Sequence, residues 1–286
     1  MLQEKEIDVR IINVIENWFS KNVTAIKWNN VVSDRVPLFS GVKQGGILSP
    51  FLFTLFVDIV LKKLEDSGLG CFISFKCYNS YLYCDDIVLL SVSVTDMQLM
   101  FNVCCTVFDD LDLPINVSKC HCLRVGPRYN VKCCPLTIQG SCIEWVESTS
   151  FLGVTICQSK TFKCGWDDAK SKFYCSSNVI LGRLGTSAPS TVLLRLIYSQ
   201  GVQNLLYGIS AATLTKIERK SFSHAYNSVF AKMFNTYDNN VILNCQYYSG
   251  YLYFDRLYDL HRYLFLSKLF HNAFIDEKLL IYKIDF

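Results

Sequence analysis

The amino-acid sequence predicts an α+β protein, with strands and helices mixed up to Cys157 and helices alone after it. Two hairpin signals support the first part: Asn29-Asn30 and Asp85-Asp86 each separate short runs of strand-forming residues. In the second part, apolar residues recur at helical spacing in every long segment. We therefore predict two domains, residues 1–157 and residues 158–286.

The first part contains three predicted helices. Ile7–Ser20 and Thr95–Leu111 carry apolar residues at helical spacing, and Thr95 or Ser93 is the expected cap of the second. Ser49-Pro50 predicts an N-cap with proline at the first helical position, and the helix that follows runs to about Asp66. The predicted strands are Val23–Trp28, Val31–Phe39, Cys71–Phe75, Tyr78–Tyr83, Ile87–Leu90, Ile115–Val125, Ile143–Trp145 and Phe151–Ile156. We expect Asn116, Ser118 and Lys119 to interrupt the strand at Ile115–Val125.

The second part reads as an array of helices. Its apolar residues follow the helical period over long stretches, and no repeat or low-complexity linker interrupts them. The predicted helices are Trp166–Leu184, Ser190–Tyr207, Ala212–Phe234 and Tyr251–Phe274.

Composition excludes several classes of protein. The chain is 51% hydrophobic and 14% aromatic, which is too apolar for a disordered chain, and its net charge of +3 does not by itself indicate nucleic-acid binding. The longest apolar stretch, Ile47–Leu61, is interrupted by polar residues and is shorter than the ~20 residues that a membrane span needs. We expect no membrane association.

Fourteen cysteines raise the question of disulfides or zinc. The start of the chain has no basic and apolar leader pattern, so we expect an intracellular protein, in the cytoplasm or nucleus, rather than a secreted one. Cys120-His121-Cys122 is too tightly spaced for tetrahedral chelation, and no second half follows it. Reduced and mostly buried thiols are the favoured interpretation over metal or disulfide roles.

The sharpest chemical signal is Tyr81-Leu82-Tyr83-Cys84-Asp85-Asp86. Adjacent acids at the tip of an apolar hairpin repel each other and lose hydration, and a divalent cation removes both penalties. Hard oxygen ligands are what Mg²⁺ needs in phosphoryl transfer. The alternative interpretation is a solvated turn, since aspartate is a common turn residue.

A second signal is the segment Ser40–Pro50, whose sequence is SGVKQGGILSP. Its glycines allow the backbone to approach a flat or anionic ligand, and Gln44 can hydrogen-bond a base. The segment leads into a helix N-terminus, where free N–H groups favour phosphate. A glycine-rich loop alone is a weak signal, but here it precedes the acidic hairpin by one helix.

These motifs together resemble the reverse transcriptases of non-LTR, LINE-type retrotransposons. GVKQGGILSPFLFTLFVD is similar to that family's GVxQGxxLSPxLF signature, and YLYCDDIVLLS resembles its YADD box, with Cys84 where alanine is usual. LPINVSKC and FLGV resemble the two motifs that follow, the second being the primer-grip hairpin. The four motifs appear in family order and cover about Ile7 to Ile156.

The resemblance implies a polymerase palm, an antiparallel sheet with packed helices, followed by an all-α thumb and C-terminal region. It implies that Asp85 and Asp86 bind Mg²⁺ or Mn²⁺ and that Lys119 donates a proton to the departing pyrophosphate. The other site residues carried over by motif are Gln44, Gly45, Gly46 and Ser49 for nucleotide and template, and Tyr83, Phe151, Leu152 and Gly153 for the primer.

The reaction that the resemblance implies is two-metal nucleotidyl transfer from a dNTP to a primer 3′-hydroxyl, directed by an RNA template. RNA template, DNA primer and dNTP are therefore the expected partners, and no protein partner is defined.

One family motif has no match in this chain. The family's first catalytic aspartate lies in a motif of the form FDxxxxFD, and neither Asp8 nor Asp34 has that context. We expect a chain that is N-terminally truncated relative to the family, lacks the fingers and is inactive by itself. A palm domain that lacks the fingers is also expected to expose apolar surface.

Two other functions compete with an RNA-directed DNA polymerase domain. One is a non-catalytic nucleic-acid-binding remnant of a decayed retroelement, and the other is an unrelated α+β interaction domain with an acidic turn. Basic residues of the helical part could follow a phosphate backbone but are also typical of a solvated helix face. They are Lys170, Lys172, Arg183, Arg195, Lys216, Arg219 and Lys220.

Overall fold

A computed structural model of the chain describes residues 2–38, 41–73, 75–185 and 187–271. The chain divides into two compact units. The first unit comprises Met1–Cys120 and Cys133–Glu144, and the second comprises His121–Lys132 and Trp145–Phe286. The predicted α+β class is confirmed, whereas the domain boundary at residue 157 stays a prediction.

The helices and strands have the following bounds. The helices are α1 Val9–Ser20, α2 Ser49–Asp66, α3 Val94–Asp110, α4 Asp167–Leu184, α5 Ser190–Leu196, α6 Gln203–Leu206, α7 Lys216–Phe234, α8 Asn239–Tyr248 and α9 Phe254–His271. The strands are β1 Val23–Thr24, β2 Lys27–Trp28, β3 Val31–Val32, β4 Val36–Pro37, β5 Cys71–Ile73, β6 Lys76–Tyr78, β7 Ser80–Tyr83, β8 Asp86–Leu89, β9 His121–Cys122, β10 Leu136–Ile138, β11 Ser141–Trp145, β12 Ser148–Phe151, β13 Val154–Cys157 and β14 Lys163–Gly165.

Antiparallel hairpins make up the sheet content of the first unit. Strands β2 and β3 pair around Asn29 and Asn30, whose φ angles of 44° and 64° are those of a type I′ turn. Strands β1 and β4 extend the same hairpin outward, and β5–β6, β7–β8 and β10–β11 form three more. The hairpin predicted at Asn29-Asn30 is confirmed, while a single palm sheet stays a prediction.

The core of the first unit lies between α2 and α3. Val60 and Leu64 of α2 pack with Met100, Cys104 and Val107 of α3, and Ile87 and Leu89 of β8 pack against this cluster. Gln98 of α3 fixes β10, because its amide donates to the Thr137 carbonyl (2.8 Å) and accepts from the Thr137 N–H (2.9 Å). The contacts of Ile87 and Leu89 with the α2–α3 cluster anchor the acidic hairpin through its second strand, β8.

The core of the second unit is aromatic and helical. Phe222 of α7 stacks on Phe254 of α9 with ring centroids 5.4 Å apart, and Phe173 of α4 and Tyr258 of α9 are fully buried beside them. Helix α7 begins with a capping box, since Thr215 accepts from the Glu218 N–H and Glu218 accepts from the Thr215 N–H.

Several sequence predictions of local structure are wrong. Ile115–Val125 is a strand only at His121–Cys122. Residues Val117–Lys119, where an interruption was expected, form a 3₁₀ turn, because the Asn116 carbonyl accepts from the Lys119 N–H (3.1 Å) and the Asn116 side chain accepts from the Ser118 hydroxyl (2.6 Å). Phe151–Ile156 is not one strand either, since the chain reverses at Leu152-Gly153 between β12 and β13.

The helical part differs from its prediction in several places, and α9 begins at Phe254 instead of Tyr251. The segment Ser190–Tyr207 contains a π-helical stretch at Ile197–Val202, and residues 212–215 precede α7 rather than belong to it. Helix α8 was not predicted, although Asp238 caps it by accepting from the Asn240 N–H (2.8 Å). Residues 272–274 of the last predicted helix, like Phe39 and Ser40, lie outside the described residues.

Apolar side chains remain on the surface of the first unit. Helix α1 has no buried residue, and Ile11, Val14 and Trp18 on it are all exposed. None of the described helices combines the length and the apolar character that a membrane crossing requires.

Candidate active site

The acidic hairpin is formed by β7 and β8 with a two-residue turn. Tyr83 and Asp86 are the last paired residues, so Cys84 and Asp85 form the turn itself. Cys84 has a φ of 52°, whereas Asp85 is not among the positive-φ residues, and a single positive φ at the first turn position is the pattern of a type II′ turn. The turn thus places two adjacent carboxylates at the tip of a tight hairpin.

Both carboxylates of the hairpin face solvent. Asp85 and Asp86 are exposed, and within the described residues neither side chain forms a hydrogen bond or an ion pair. The desolvation penalty expected for these acids is therefore small in this structure, and mutual repulsion is the cost that remains. Their free oxygens are available to an external cation.

Tyr83 lies directly opposite Asp86 in the hairpin register. Residues directly opposite in an antiparallel pair project from the same face, so the Tyr83 ring and the Asp86 carboxylate are neighbours. The Tyr83 ring is exposed, as is the ring of Tyr81 one step earlier on the same face. This face combines two aromatic rings with an acid at its end.

The glycine-rich loop contains a tight turn at residues 43–46. The Gly46 N–H donates to the Lys43 carbonyl (3.0 Å), which closes a β-turn with Gln44 and Gly45 at its corners. Gly45 has a φ of 79°, the value that the third position of a type II turn requires, and glycine meets it without strain. The turn leaves the Gln44 side chain exposed.

Ser49 fixes this turn instead of capping the helix as predicted. Leu48 is the N-cap of α2, so Ser49 and Pro50 are its first two residues, and the Ser49 hydroxyl donates to the Lys43 carbonyl (2.5 Å). A Cβ on Gly46 would lie 2.6 Å from the Ser49 oxygen. Close approach, rather than backbone freedom, therefore explains glycine at position 46.

Helix α2 links the loop to the hairpin. It begins directly after the loop, and it contacts β7, the strand that leads into the acidic turn. Gln44, Gly45, Gly46 and Ser49 thus form one local group, and Tyr83, Asp85 and Asp86 form another in the same unit. The predicted closeness of the two groups stays a prediction.

Lys119 is the last residue of the 3₁₀ turn Val117–Lys119. Its side chain is exposed, and in the part of the chain that the structure describes it has no ion-pair partner. An unpaired ammonium is free to approach an anionic ligand, as its predicted role requires. The structure does not bring it into hydrogen-bond contact with Asp85 or Asp86.

Three of the four predicted primer-binding residues lie in the second unit, at the β12–β13 hairpin, whereas Tyr83 belongs to the first unit. Leu152 and Gly153 form its turn, with φ angles of 48° and 76° as in a type I′ turn, and Phe151 pairs with Val154. The Tyr207 hydroxyl donates to the Leu152 carbonyl (2.7 Å), and a Cβ on Gly153 would lie 3.3 Å from the Tyr207 ring.

Tyr207 was not among the predicted site residues. Nothing in the spacing of a single sequence connects residue 207 with residue 152, which precedes it by 55 positions. A Cβ on Gly208 would lie 2.7 Å from Val154, so the backbone after α6 approaches the same hairpin closely. The pair Tyr207-Gly208 therefore supports the β12–β13 turn from the side.

The donors at the acidic hairpin have the right chemistry for Mg²⁺ but are few. Carboxylate oxygens are the hard ligands that Mg²⁺ prefers. Across the described ranges, no group of three or more His, Cys, Asp or Glu side chains is placed to hold a metal ion. Asp85 and Asp86 thus fit a part of a magnesium site, with remaining positions left to phosphate, water or further protein ligands.

Comparison with known proteins gives one family. The profile of the family described as "Reverse transcriptase (RNA-dependent DNA polymerase)" matches residues 3–156, more than half of the 286 residues. The chain is 26% identical over 128 residues to the Retrovirus-related Pol polyprotein from type-2 retrotransposable element R2DM of Drosophila melanogaster. It is 28% identical over 111 residues to the corresponding polyprotein from type-1 retrotransposable element R2 of Popillia japonica.

These alignments cover only parts of each protein. They include 45% and 37% of this chain, but 12% of the Drosophila relative and 18% of the Popillia relative. The chain therefore spans less than a fifth of the length of the curated relatives it matches.

Proposed function

The chain belongs to the reverse transcriptase (RNA-dependent DNA polymerase) family, as a domain of a non-LTR retrotransposon, and on that premise we propose that its acidic hairpin is part of a nucleotidyl-transfer site. The reaction is the transfer of a nucleotide from a dNTP to a primer 3′-hydroxyl on an RNA template. The substrates and partners are those of the family and are proposed for this chain.

The observation that carries the proposal is the pair of free carboxylates on the two-residue turn. Asp85 and Asp86 are exposed and unpaired among the described residues, and β8 is anchored in the core by Ile87 and Leu89. The anchored strand positions both acids, and no cationic side chain of the described residues pairs with them. Such an arrangement favours a divalent cation as the missing counter-charge.

Asp85 and Asp86 would hold Mg²⁺ or Mn²⁺. When bound, the cation would supply positive charge against the phosphate oxygens of the nucleotide. Lys119 is exposed and forms no ion pair with a described residue, and its ammonium is proposed to give its proton to the departing pyrophosphate. These roles rest on residue type and motif match, and the exposed side chains leave each group free to take them.

The nucleotide and template are proposed to contact the loop before α2. The type II turn exposes Gln44 and presents the Gly45 backbone, so an amide side chain and peptide groups face outward together. Ser49 and Gly46 hold this turn closed and act as positioning residues rather than as direct contacts.

The primer is proposed to contact Tyr83 and the β12–β13 turn. Tyr83 offers an exposed ring beside Asp86, and the turn offers Phe151, Leu152 and Gly153. Tyr207 would keep that turn in its observed conformation through the bond to Leu152.

We further propose that these 286 residues alone do not extend a primer. Asp85 and Asp86 supply two carboxylates, and a two-metal site of this family uses a third from a separate strand. A bridging ligand raises metal affinity strongly, so its absence leaves the pair a weak binder.

Primer extension on an RNA template tests both parts of this proposal. We expect no incorporation by the 286-residue chain with Mg²⁺. A graft of Ser80–Leu89 into an active family member is expected to extend the primer, and the same graft with Asp85→Asn is expected not to. A folded graft that is inactive with Asp85 intact would contradict the role of the hairpin.

A non-catalytic nucleic-acid-binding remnant is the second candidate function. It is favoured by the small number of acids at the hairpin among the described residues. Under this alternative, Asp85→Ala leaves oligonucleotide binding and its Mg²⁺ dependence unchanged. Under the polymerase proposal, the same substitution abolishes the Mg²⁺ dependence.

A further inference from the structure

A groove in the second unit runs beside α7. Its volume is about 610 Å³, and residues of α7, α8, the connection between them and the first turn of α9 line it. The groove lies outside residues 3–156, although three of its lining residues, Lys216, Arg219 and Lys220, are among the basic residues noted in the sequence. Its chemistry can therefore be considered independently of the acidic hairpin.

One face of α7 supplies a row of polar groups to this groove. Lys216, Lys220, His224 and Asn227 follow one another at steps of three or four residues, which places them on one side of the helix. With a rise of 1.5 Å per residue, the row extends for roughly 16 Å. The groove thus presents hydrogen-bond donors along its length rather than at a single point.

The balance of charge in the groove is positive. Lys216 and Lys220 are exposed and have no ion-pair partner among the described residues, and Asp255 is the one acidic side chain in the described lining. Arg219 also reaches the groove, but its guanidinium is already bound to Asp259 (3.1 Å). The two free lysines are therefore the cations that a ligand would meet first.

Tyr237 completes the groove at the connection between α7 and α8. Asn235, with a φ of 48°, ends α7 in the left-handed conformation, and the chain then turns Tyr237 outward until 95% of it is exposed. Its ring makes no aromatic pair and its hydroxyl no hydrogen bond with any described residue. An aromatic ring this exposed at the edge of a basic groove can stack on a flat ligand.

We propose that this groove binds a single-stranded nucleic acid, with Lys216 and Lys220 on the phosphates and an unpaired base on Tyr237. A row of cations and donors beside an exposed ring matches the two needs of a single strand, charge neutralisation and stacking. Asn227 is less available, because it already bonds Gln246 (2.7 Å) and Asn239 (3.4 Å), and so it shapes the groove floor.

The test is fluorescence anisotropy of a labelled single-stranded RNA with the full chain, over a series of salt concentrations. We expect Lys216→Ala with Lys220→Ala to weaken binding and to lower the slope of log affinity against log salt by roughly 1.4, about 0.7 per lost phosphate contact. Tyr237→Ala is expected to weaken binding about fivefold or more without changing the slope.

A matched variant controls for net charge and folding. Lys160→Ala with Lys268→Ala also removes two exposed cations from the second unit, but neither residue lines the groove. We expect this variant to keep both affinity and slope. Thermal unfolding of each variant checks that it is folded.

Three results would overturn the proposal. They are equal binding by the groove variant and its control, no effect of Tyr237→Ala, and competition by polyglutamate as strong as by unlabelled RNA. All groove variants keep Asp85 and Asp86, so cation binding at the hairpin can fail or succeed separately from this test.

Discussion

The Tyr207 hydroxyl donates a 2.7 Å hydrogen bond to the carbonyl of Leu152, 55 residues earlier in the chain. Leu152 has a φ of 48°, a conformation that costs a residue with a side chain roughly 1–2 kcal/mol. A bond to the carbonyl at that position offsets part of the cost and holds the turn of the β12–β13 hairpin. The predicted primer-binding turn thus depends on a residue outside its own motif.

Tyr207→Phe tests this support. The ring stays against Gly153 while the hydroxyl is lost, so we expect the free energy of unfolding to fall by about 1 kcal/mol, the usual contribution of one hydrogen bond. Urea unfolding measures the change. Tyr263→Phe is the control, since Tyr263 is exposed on α9 and its hydroxyl bonds no described residue. Equal stability of the two variants would contradict the role of Tyr207.

Gly46→Ala tests the loop before α2. The added Cβ would lie 2.6 Å from the Ser49 oxygen and 3.1 Å from the Lys43 carbonyl, so we expect a loss of about 1 kcal/mol or more in unfolding free energy as the Ser49–Lys43 bond breaks. In a Ser49→Ala background the same substitution should cost less, because the nearest atom is gone. A double-mutant cycle measures this coupling.

Gly182→Ala is a control for which we expect the opposite change, a rise in the free energy of unfolding. Gly182 lies in α4 with open space around its Cβ position, so alanine should stabilise the helix by about 0.5–1 kcal/mol. If Gly46→Ala is as well tolerated as Gly182→Ala, the close packing of Gly46 against Ser49 is not what selects glycine there.

The buried thiol of Cys104 predicts loss of stability at alkaline pH. Burial raises the pKa of Cys104 from the ordinary value of 9.0 to about 12, and the neighbouring Cys105 adds to the shift. Above pH 9 the unfolded chain releases this proton and the folded chain keeps it, so stability declines by up to ~1.4 kcal/mol per pH unit towards pH 12. Below pH 9 the same group contributes no slope.

Free energies of unfolding measured at roughly pH 8, 9 and 10, which lie on both sides of the unperturbed thiol pKa, test this effect. We expect the decline between the two higher values to become shallower in Cys104→Val, which keeps the core apolar. Burial also raises the pKa of other groups, Cys71, Cys164 and Tyr226 among them, so part of the slope remains. An identical slope in wild type and Cys104→Val would show that this thiol does not govern the alkaline limb.

Sequence patterns correctly predicted those turns and helix caps that depend on residues close together in the chain. The Asn29-Asn30 turn and the acidic hairpin follow from turn residues between strand-forming runs, and the Ser93 cap of α3 follows from a hydroxyl before a helical period. Their energetics involve neighbours in sequence, so the sequence alone is sufficient to find them.

The errors have equally physical causes. The predicted strand at Ile115–Val125 is present only at His121–Cys122. The Ser118 hydroxyl donates to the Asn116 side chain and the Lys119 N–H donates to the Asn116 carbonyl, and these local bonds favour a 3₁₀ turn instead. Ser49 was assigned to the helix cap, but its hydroxyl bonds Lys43 across the preceding turn. Side chains with two possible partners cannot be assigned from spacing alone.

The remaining site features depend on contacts between distant segments. The bond from Tyr207 to Leu152 joins residues 55 positions apart, and the groove beside α7 exists only when α7, α8 and α9 pack together, although its basic residues recur at helical spacing. Family motifs identified Asp85 and Asp86 from sequence, whereas the supporting contacts of the second unit became visible only in the fold.

Cation binding at the acidic hairpin is the most direct test of the central claim. Terbium prefers the same hard oxygen ligands as other oxygen-binding cations, and it luminesces when excited through a nearby tyrosine, here Tyr83 opposite Asp86. The control is Asp109→Asn with Asp110→Asn, because these residues form an adjacent exposed acid pair at the end of α3.

We predict a terbium signal that Mg²⁺ displaces, that Asp85→Asn with Asp86→Asn abolishes, and that the Asp109 and Asp110 variant retains. A signal of equal strength in the two double variants would mean that the hairpin acids are an ordinary solvated turn, and the assignment of a metal site to Asp85 and Asp86 would be wrong.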